Sequence, residues 1–367
     1  MYLRECFKTV FYSLFLFAFC LNSCNTTSSS QEKYSMIYST DMFQPPDDPD
    51  DHYDWAILNK LGEIDVKAVI FDLGSAKRDA DEVAVTALKQ ISLITGKDIP
   101  PYAIGLRNDL TSTNDQALNQ PEVYQKGVDL ILQKLRDSQD QVILFLVGSC
   151  RDFAVAFNRE PELLRQKVKA VYINAGNGND GIQDEWNVTL DPIAYEALLK
   201  SGLPMYWCPC FGKTHQTHYI VENQAELLSS CTKEMKNYFS YALNRATDDP
   251  IGYIEGVEQK LPDTERHMWC TGPFIHASGR KIYQESDGKY IACTPAVAKQ
   301  KGISDNEVEV FCFEKVKITF EPEYSENGLP IVRLSLNETD SNIEVFRYVH
   351  PEYNEILTKV LAGMLSE

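Results

Sequence analysis

The chain has 367 residues, 44% of them apolar, with 53 acidic side chains against 35 basic ones. That length can bury a sizeable core, in one large domain or two ordinary ones. A net charge of −18 argues against a DNA or RNA polymer as partner, because phosphate backbones are held by basic surface, and says little about a small neutral ligand.

Residues 1–24 read as a leader. Arg4 and Lys8 precede the apolar run Val10 to Leu21, then come Asn22, Ser23 and Cys24, and residues 25–34 form a polar tether. A basic end, an apolar core and small residues before a cut make a secretory signal, too short to span a bilayer. Leu21-Asn22-Ser23-Cys24 resembles a bacterial lipoprotein box with Cys24 as the lipidated residue, although Asn22 departs from the usual pattern. A plain signal peptide and a retained short anchor are the alternatives. The expectation is an exported protein, in the periplasm or at the outer membrane, whose lipid anchor makes the membrane a partner. The sequence leaves homo-oligomer formation open.

A short apolar run, Met36-Ile37-Tyr38, leads into a stretch from Asp41 to Asp54 with six aspartates: Asp41, Asp47, Asp48, Asp50, Asp51 and Asp54. Carboxylates packed this closely repel one another unless a cation or solvent neutralises them, and oxygen-only ligands suit a hard cation, calcium before magnesium. A solvated acidic loop with an aspartate helix cap accounts for the same residues.

Beyond that loop short apolar runs alternate with amphipathic stretches. Strands are expected at Val66–Phe71, Ile99–Ile104, Val142–Val147, Ala170–Ile173 and Pro204–Trp207. Helices are expected at Asp81–Thr95, Gly127–Leu135, from Ala154, at Pro192–Leu199 and at Lys233–Leu243. This order predicts an α/β fold, a mostly parallel sheet flanked by helices. The last hundred residues change texture: Glu307–Phe313, Lys315–Phe320, Ile331–Leu336 and Ile343–Phe346 alternate like antiparallel strands, before a helix at Tyr353–Leu365. They read as a small antiparallel C-terminal addition, and with no linker before them residues 35–367 read as one domain. Ligands of parallel sheets sit beyond the carboxyl ends of the strands, so the loops at Asp41, Ser75, Ser149, Asn174 and Cys210 should share one rim.

Seven cysteines follow the leader, an odd number that leaves at least one thiol unpaired within a chain; their pairing is not legible. Cys208-Pro209-Cys210 lacks a second pair at zinc-like spacing and reads as structural. His215 and His218 could contact a ligand or a metal, or be loop histidines; His267 and His276 read as loop residues.

Four segments carry the chemistry: the aspartate loop, Gly148-Ser149-Cys150-Arg151-Asp152, Asp184-Glu185-Trp186-Asn187 with Asp191-Pro192, and Thr247-Asp248-Asp249-Pro250. In this order they resemble the inosine-uridine nucleoside hydrolase family, and Pro49-Asp50-Asp51 is similar to its branch with a Pro-Asp-Asp motif. Residues 86–102, 147–164 and the closing strands and helix also follow the family, so the resemblance spans about residues 35 to 367.

The resemblance implies calcium-dependent hydrolysis of the N-glycosidic bond of a ribonucleoside or related riboside. It implies a calcium site at Asp41, Asp50, Asp51, the carbonyl of Arg151 and Asp249. The ion would acidify a water, Asp41 would take its proton, and the water would attack the anomeric carbon through an oxocarbenium-like state. Glu185 and Asn187 match residues that grip the ribose hydroxyls, with Ser75 and Asn174 at two further ribose-side positions. Asp248 stands where purine-cleaving members often carry a histidine that protonates the departing base, so the leaving group stays open. The aspartate loop is longer than the family's around Phe43 to Asp48, and Arg151 stands in place of a small Thr. From the residues themselves, Glu185 and Asn187 could merely brace a loop, and Asp248-Asp249-Pro250 could begin a helix. Two other functions fit the same residues: hydrolysis of a different glycoside, or calcium-dependent sugar binding without catalysis.

Overall fold

The computed structural model describes residues 33–72 and 85–366. The leader with Cys24, the tether up to residue 32, Ser75 and the first residues of the helix expected from Asp81 lie outside the described residues.

Fourteen strands are described: β1 (Tyr34–Thr40), β2 (Ile64–Phe71), β3 (Tyr102–Ile104), β4 (Val142–Leu146), β5 (Val168–Ile173), β6 (Gly181–Ile182), β7 (Met205–Trp207), β8 (Tyr219–Val221), β9 (Arg266–Met268), β10 (Lys281–Gln284), β11 (Tyr290–Cys293), β12 (Phe311–Phe320), β13 (Ile331–Leu336) and β14 (Ile343–Tyr348). Ten form one sheet in the order β3-β2-β1-β4-β5-β7-β14-β12-β13-β6, and β8 with β9 and β10 with β11 make two small sheets. From β3 to β14 every pairing is parallel; β14–β12, β12–β13 and β13–β6 are antiparallel. The fold is therefore α/β, with a mostly parallel sheet.

Strand alternation builds the two cores. Met36, Tyr38, Phe71 and Phe145 face one side, against the helices Asp50–Lys60, Lys233–Leu243, Thr271–Ala277 and Tyr353–Ser366. Ile37, Ile70, Leu144 and Leu146 face the other, against Glu122–Asp137, Arg151–Arg159 and Pro192–Leu199. Each such side chain contributes about 1.5–3 kcal/mol by leaving water. Helix Glu122–Asp137 shows why these segments coil: Val128, Ile131, Leu132 and Leu135 recur at helical spacing and all are buried. Helix Thr86–Thr95 stops at Gly96, whose φ of 69° closes it in the left-handed region.

Two expectations need correction. The strand expected from Ile99 begins at Tyr102, since Pro100 and Pro101 offer no N–H to a ladder. Glu307–Phe313 and Lys315–Phe320 are not two strands. Residues 311–320 run unbroken as β12, pairing with β14 over Phe311–Lys315 and with β13 over Val316–Phe320. No turn residue separates the halves, so the strand changes partner instead of direction. The small antiparallel C-terminal addition is present in β12–β14, and β14 also pairs in parallel with β7, joining it to the central sheet.

The register places the site. Thr40 lies opposite Phe71, Ser39 opposite Leu146, and Leu146 and Ile173 opposite Ile173 and Trp207 in turn. The loops that begin at Asp41, Asp72, Val147, Asn174 and Cys208 thus leave one rim at nearly one level. The strand order reverses between β1 and β4, where parallel sheets open a crevice for ligands.

Candidate active site

At that crevice lies a cavity of about 360 Å³, lined by Asp41, Asp50, Asn174, Glu185, Asn187 and Cys210, with Phe43, Trp186, Phe211 and Trp269 around them. A larger cavity, about 440 Å³, opens at the opposite rim among Tyr34, Lys169, Tyr206 and Lys315, and holds no cluster of carboxylates.

The six aspartates divide into two sets. Asp47 and Asp48 are exposed and ion-paired, Asp47 with Arg245 at 3.2 Å and Asp48 with Arg266. Asp50, Asp51 and Asp54 open the helix Asp50–Lys60, where the partial positive charge of free N–H groups favours carboxylates. Asp51, only 3% exposed, accepts from the Thr40 hydroxyl. Among the described residues no Lys or Arg is ion-paired with Asp50, Asp51 or Asp54. Burial first, and then neighbouring carboxylates (Asp48, Asp54 and Asp41 for Asp50; Asp41, Asp50 and Asp54 for Asp51), push both groups well above the usual carboxylate range. Burial likewise raises Asp54 to about 7.

The opposite wall is held by hydrogen bonds. Glu185 caps the helix Trp186–Leu190, accepting from Asn187 N at 3.0 Å and Val188 N at 3.2 Å, and from Gly176 N at 2.8 Å. Burial raises its pKa and these N–H groups hold the rise back. Asn187 Nδ2 donates to the carbonyls of Val147 (3.1 Å) and Asn174 (2.9 Å), tying the ends of two strands together. Asn174 donates to the Cys208 carbonyl at 2.9 Å and accepts from the Cys270 thiol at 3.3 Å. Glu185 and Asn187 therefore brace loops and line the cavity as well. Between the walls Gly148 has no room for a side chain: a Cβ there would stand 3.0 Å from Asp72 Oδ2 and 3.4 Å from the Asp41 nitrogen.

Two expected site residues are elsewhere. Asp248 and Asp249 are exposed and do not line the cavity; Asp249 caps the helix Pro250–Glu255, accepting from Ile251 N and Gly252 N. Asp54, one turn beyond Asp50, occupies the buried cluster that Asp249 was expected to complete. Arg151 opens the helix Arg151–Arg159, and its side chain is enclosed behind the cavity. His215 pairs with Glu314, and His218 Nε2 lies 2.7 Å from His267 Nδ1 in a stack with Trp269 and Phe211. Cys210 lines the cavity and Cys208 is buried beneath it; all seven described cysteines are free thiols. Sequence reasoning missed Cys270 and the four aromatic side chains at the mouth. Trp269-Cys270 directly follows a short apolar-ended strand, the one local signal available for it.

The carboxylate cluster suits a hard cation such as calcium. Its donor chemistry fits, being carboxylate oxygen, buried, mutually repelling and short of positive charge. Among the described residues no three His, Cys, Asp or Glu side chains converge as a formed metal cage.

The family model for inosine-uridine preferring nucleoside hydrolase matches residues 37–270. The pyrimidine-specific ribonucleoside hydrolase RihA of Escherichia coli is 25% identical over 253 residues, which cover 62% of this chain and 78% of that protein. An uncharacterised protein of Schizosaccharomyces pombe is 30% identical over 217 residues, 53% of this chain and 68% of its own. Among solved structures, the plant nucleoside hydrolase PpNRh1 superposes with a TM-score of 0.52 at 14% identity, covering 91% of this chain and 99% of that one, a likeness of fold.

Proposed function

This chain belongs to the inosine-uridine preferring nucleoside hydrolase family, and we propose that it hydrolyses the N-glycosidic bond of a ribonucleoside with calcium held at the aspartate cluster. The observation that carries this reading is the cavity itself: carboxylates on one wall, Asn174, Glu185 and Asn187 on the other, and aromatic rings at the mouth.

Asp41, Asp50 and Asp51 would hold the ion, which supplies Lewis acidity to the attacking water. Asp41, in the wall of the cavity, accepts the proton of that water as general base. Asn174, Glu185 and Asn187 orient the sugar by its hydroxyls, and their backbone partners keep them from turning away as charge develops at the anomeric carbon. Phe43, Trp186, Phe211 and Trp269 offer flat apolar faces to the departing base. A planar base stacks on such faces with little regard to its identity. The pyrimidine specificity in the name of the Escherichia coli relative makes uridine and cytidine the first substrates to test.

One observation favours a second reading. Trp186 is 64% exposed, so the mouth is open on its side and admits a leaving group that extends past the cavity, as in a glycoside other than a nucleoside.

Ribose release from a panel of nucleosides, with calcium and then with a chelator, tests the proposal. Release that stops on chelation is the expected result. Calcium binding without release from any nucleoside would sink the nucleosidase reading.

A further inference from the structure

Each of the five N–H groups of the Arg151 guanidinium has an acceptor, and the side chain is 0% exposed. Nε donates to Asp191 Oδ2 (3.0 Å), Nη1 to Asp72 Oδ1 (3.2 Å) and the Leu106 carbonyl (3.1 Å), Nη2 to Asp109 Oδ1 (3.1 Å) and the Leu190 carbonyl (2.6 Å). These acceptors come from three rim segments: the end of β2, the loop after β3, and the close of the helix that carries Asn187. The bound carboxylates reach further. Asp72 Oδ2 accepts from Ser149 N at 2.6 Å, in the turn after β4, and Asp191 accepts from Leu110 N and Ala194 N, both at 2.9 Å.

We infer that Arg151 is a positioning residue of the hydrolytic site, its side chain fixing the helix Trp186–Leu190 against the Gly148–Ser149 turn and the loop after β3. The inference rests on the nucleosidase reading for its effect on rate, not for its effect on the loops. Two adjacent contacts carry the position to the cavity: Asn187 Nδ2 on the Val147 carbonyl, and the close approach of Gly148 to the Asp41 nitrogen. The guanidinium joins loops, whereas the two large hydrophobic cores lie on the sheet faces. A lysine cannot substitute, because an ammonium presents three donors from a single point and cannot span this fork of acceptors.

The test uses the full chain with Arg151→Lys, which leaves the backbone carbonyl intact, compared with the wild type by hydrogen exchange and by nucleoside turnover. The expected result is faster exchange in residues 105–111, 148–150 and 185–191 with the β10–β11 hairpin unchanged, and a kcat lower by about 10- to 100-fold. Unchanged exchange in the three segments, or acceleration spread evenly over the chain, would overturn the inference. Should Arg151→Lys fail to fold, Asp109→Ala decides: the Asp109 side chain is 62% exposed, so its loss removes one acceptor without opening the interior. That variant should loosen 105–111 and 185–191 and lower kcat by a smaller factor; exchange identical to wild type rejects the role. A wild type that releases no ribose ends the nucleosidase reading, while the exchange result still judges Arg151.

Discussion

Asp47 and Asp48 each face an arginine, whereas Asp50 and Asp51 are pushed up by burial and then by neighbouring carboxylates, Asp48 first among them for Asp50 and Asp41 for Asp51. Proximity in sequence therefore does not make the six equivalent, and the proposed reaction gives Asp41, in the cavity wall, the part of general base. Replacing Asp41 by Asn should lower ribose release by about 10²- to 10⁴-fold, the usual worth of a general base. Unaltered turnover would remove it from the mechanism. A second residue answers to pH. His276 is packed among Tyr172, Tyr206 and Phe313, and burial lowers its pKa from 6.5 to about 4. The ring folds neutral, so its contribution to stability is complete above pH 6.5 and is lost as pH falls toward 4. With His276→Gln, which can still accept from the Tyr172 hydroxyl, the melting temperature should fall less between those pH values than in the wild type. Equal slopes would show that His276 does not titrate in that window.

Helix starts were the hardest elements to interpret from sequence. Asp before Pro at residues 249–250 suits both a ligand loop and a helix cap, and only the fold separates them: the cap lies on the exposed side of the helix that follows. Asp249→Ala should cost about 1 kcal/mol of stability by urea unfolding and leave turnover and calcium affinity unchanged. Lost calcium affinity would return Asp249 to the metal site. Strands β1, β2, β4 and β5 were legible because buried parallel strands are runs of apolar residues, whereas Glu185 and Asn187 were singled out by the family resemblance and by themselves read as loop braces. The pairing of Asp47 with Arg245 and Asp48 with Arg266 was not legible, since the partners are 198 and 218 positions apart. Nor was the Arg151 network, whose acceptors are gathered from three loops and leave no pattern in any one of them.

At the scale of the molecule, the buried carboxylates are unfavourable to the apo fold, and an ion that neutralises them should stabilise it. At a free calcium concentration about 100 times the dissociation constant, linkage gives about 2.7 kcal/mol, visible by calorimetry as a higher melting temperature. A melting temperature indifferent to calcium and chelator would leave the cluster without an ion and favour protons as what neutralises it.

The position of β14 sets an order of events. Residues 343–348, more than 130 positions after β7, sit inside the sheet between β7 and β12, not at its margin. A ribosome must therefore deliver residues 343–348 before β7 gains its second neighbour. Until then the nascent chain exposes the backbone of Met205–Trp207 as an open edge, the kind of edge to which chaperones or other strands attach. A chain stopped short of residue 343 keeps every residue of the cavity wall and still cannot close its sheet.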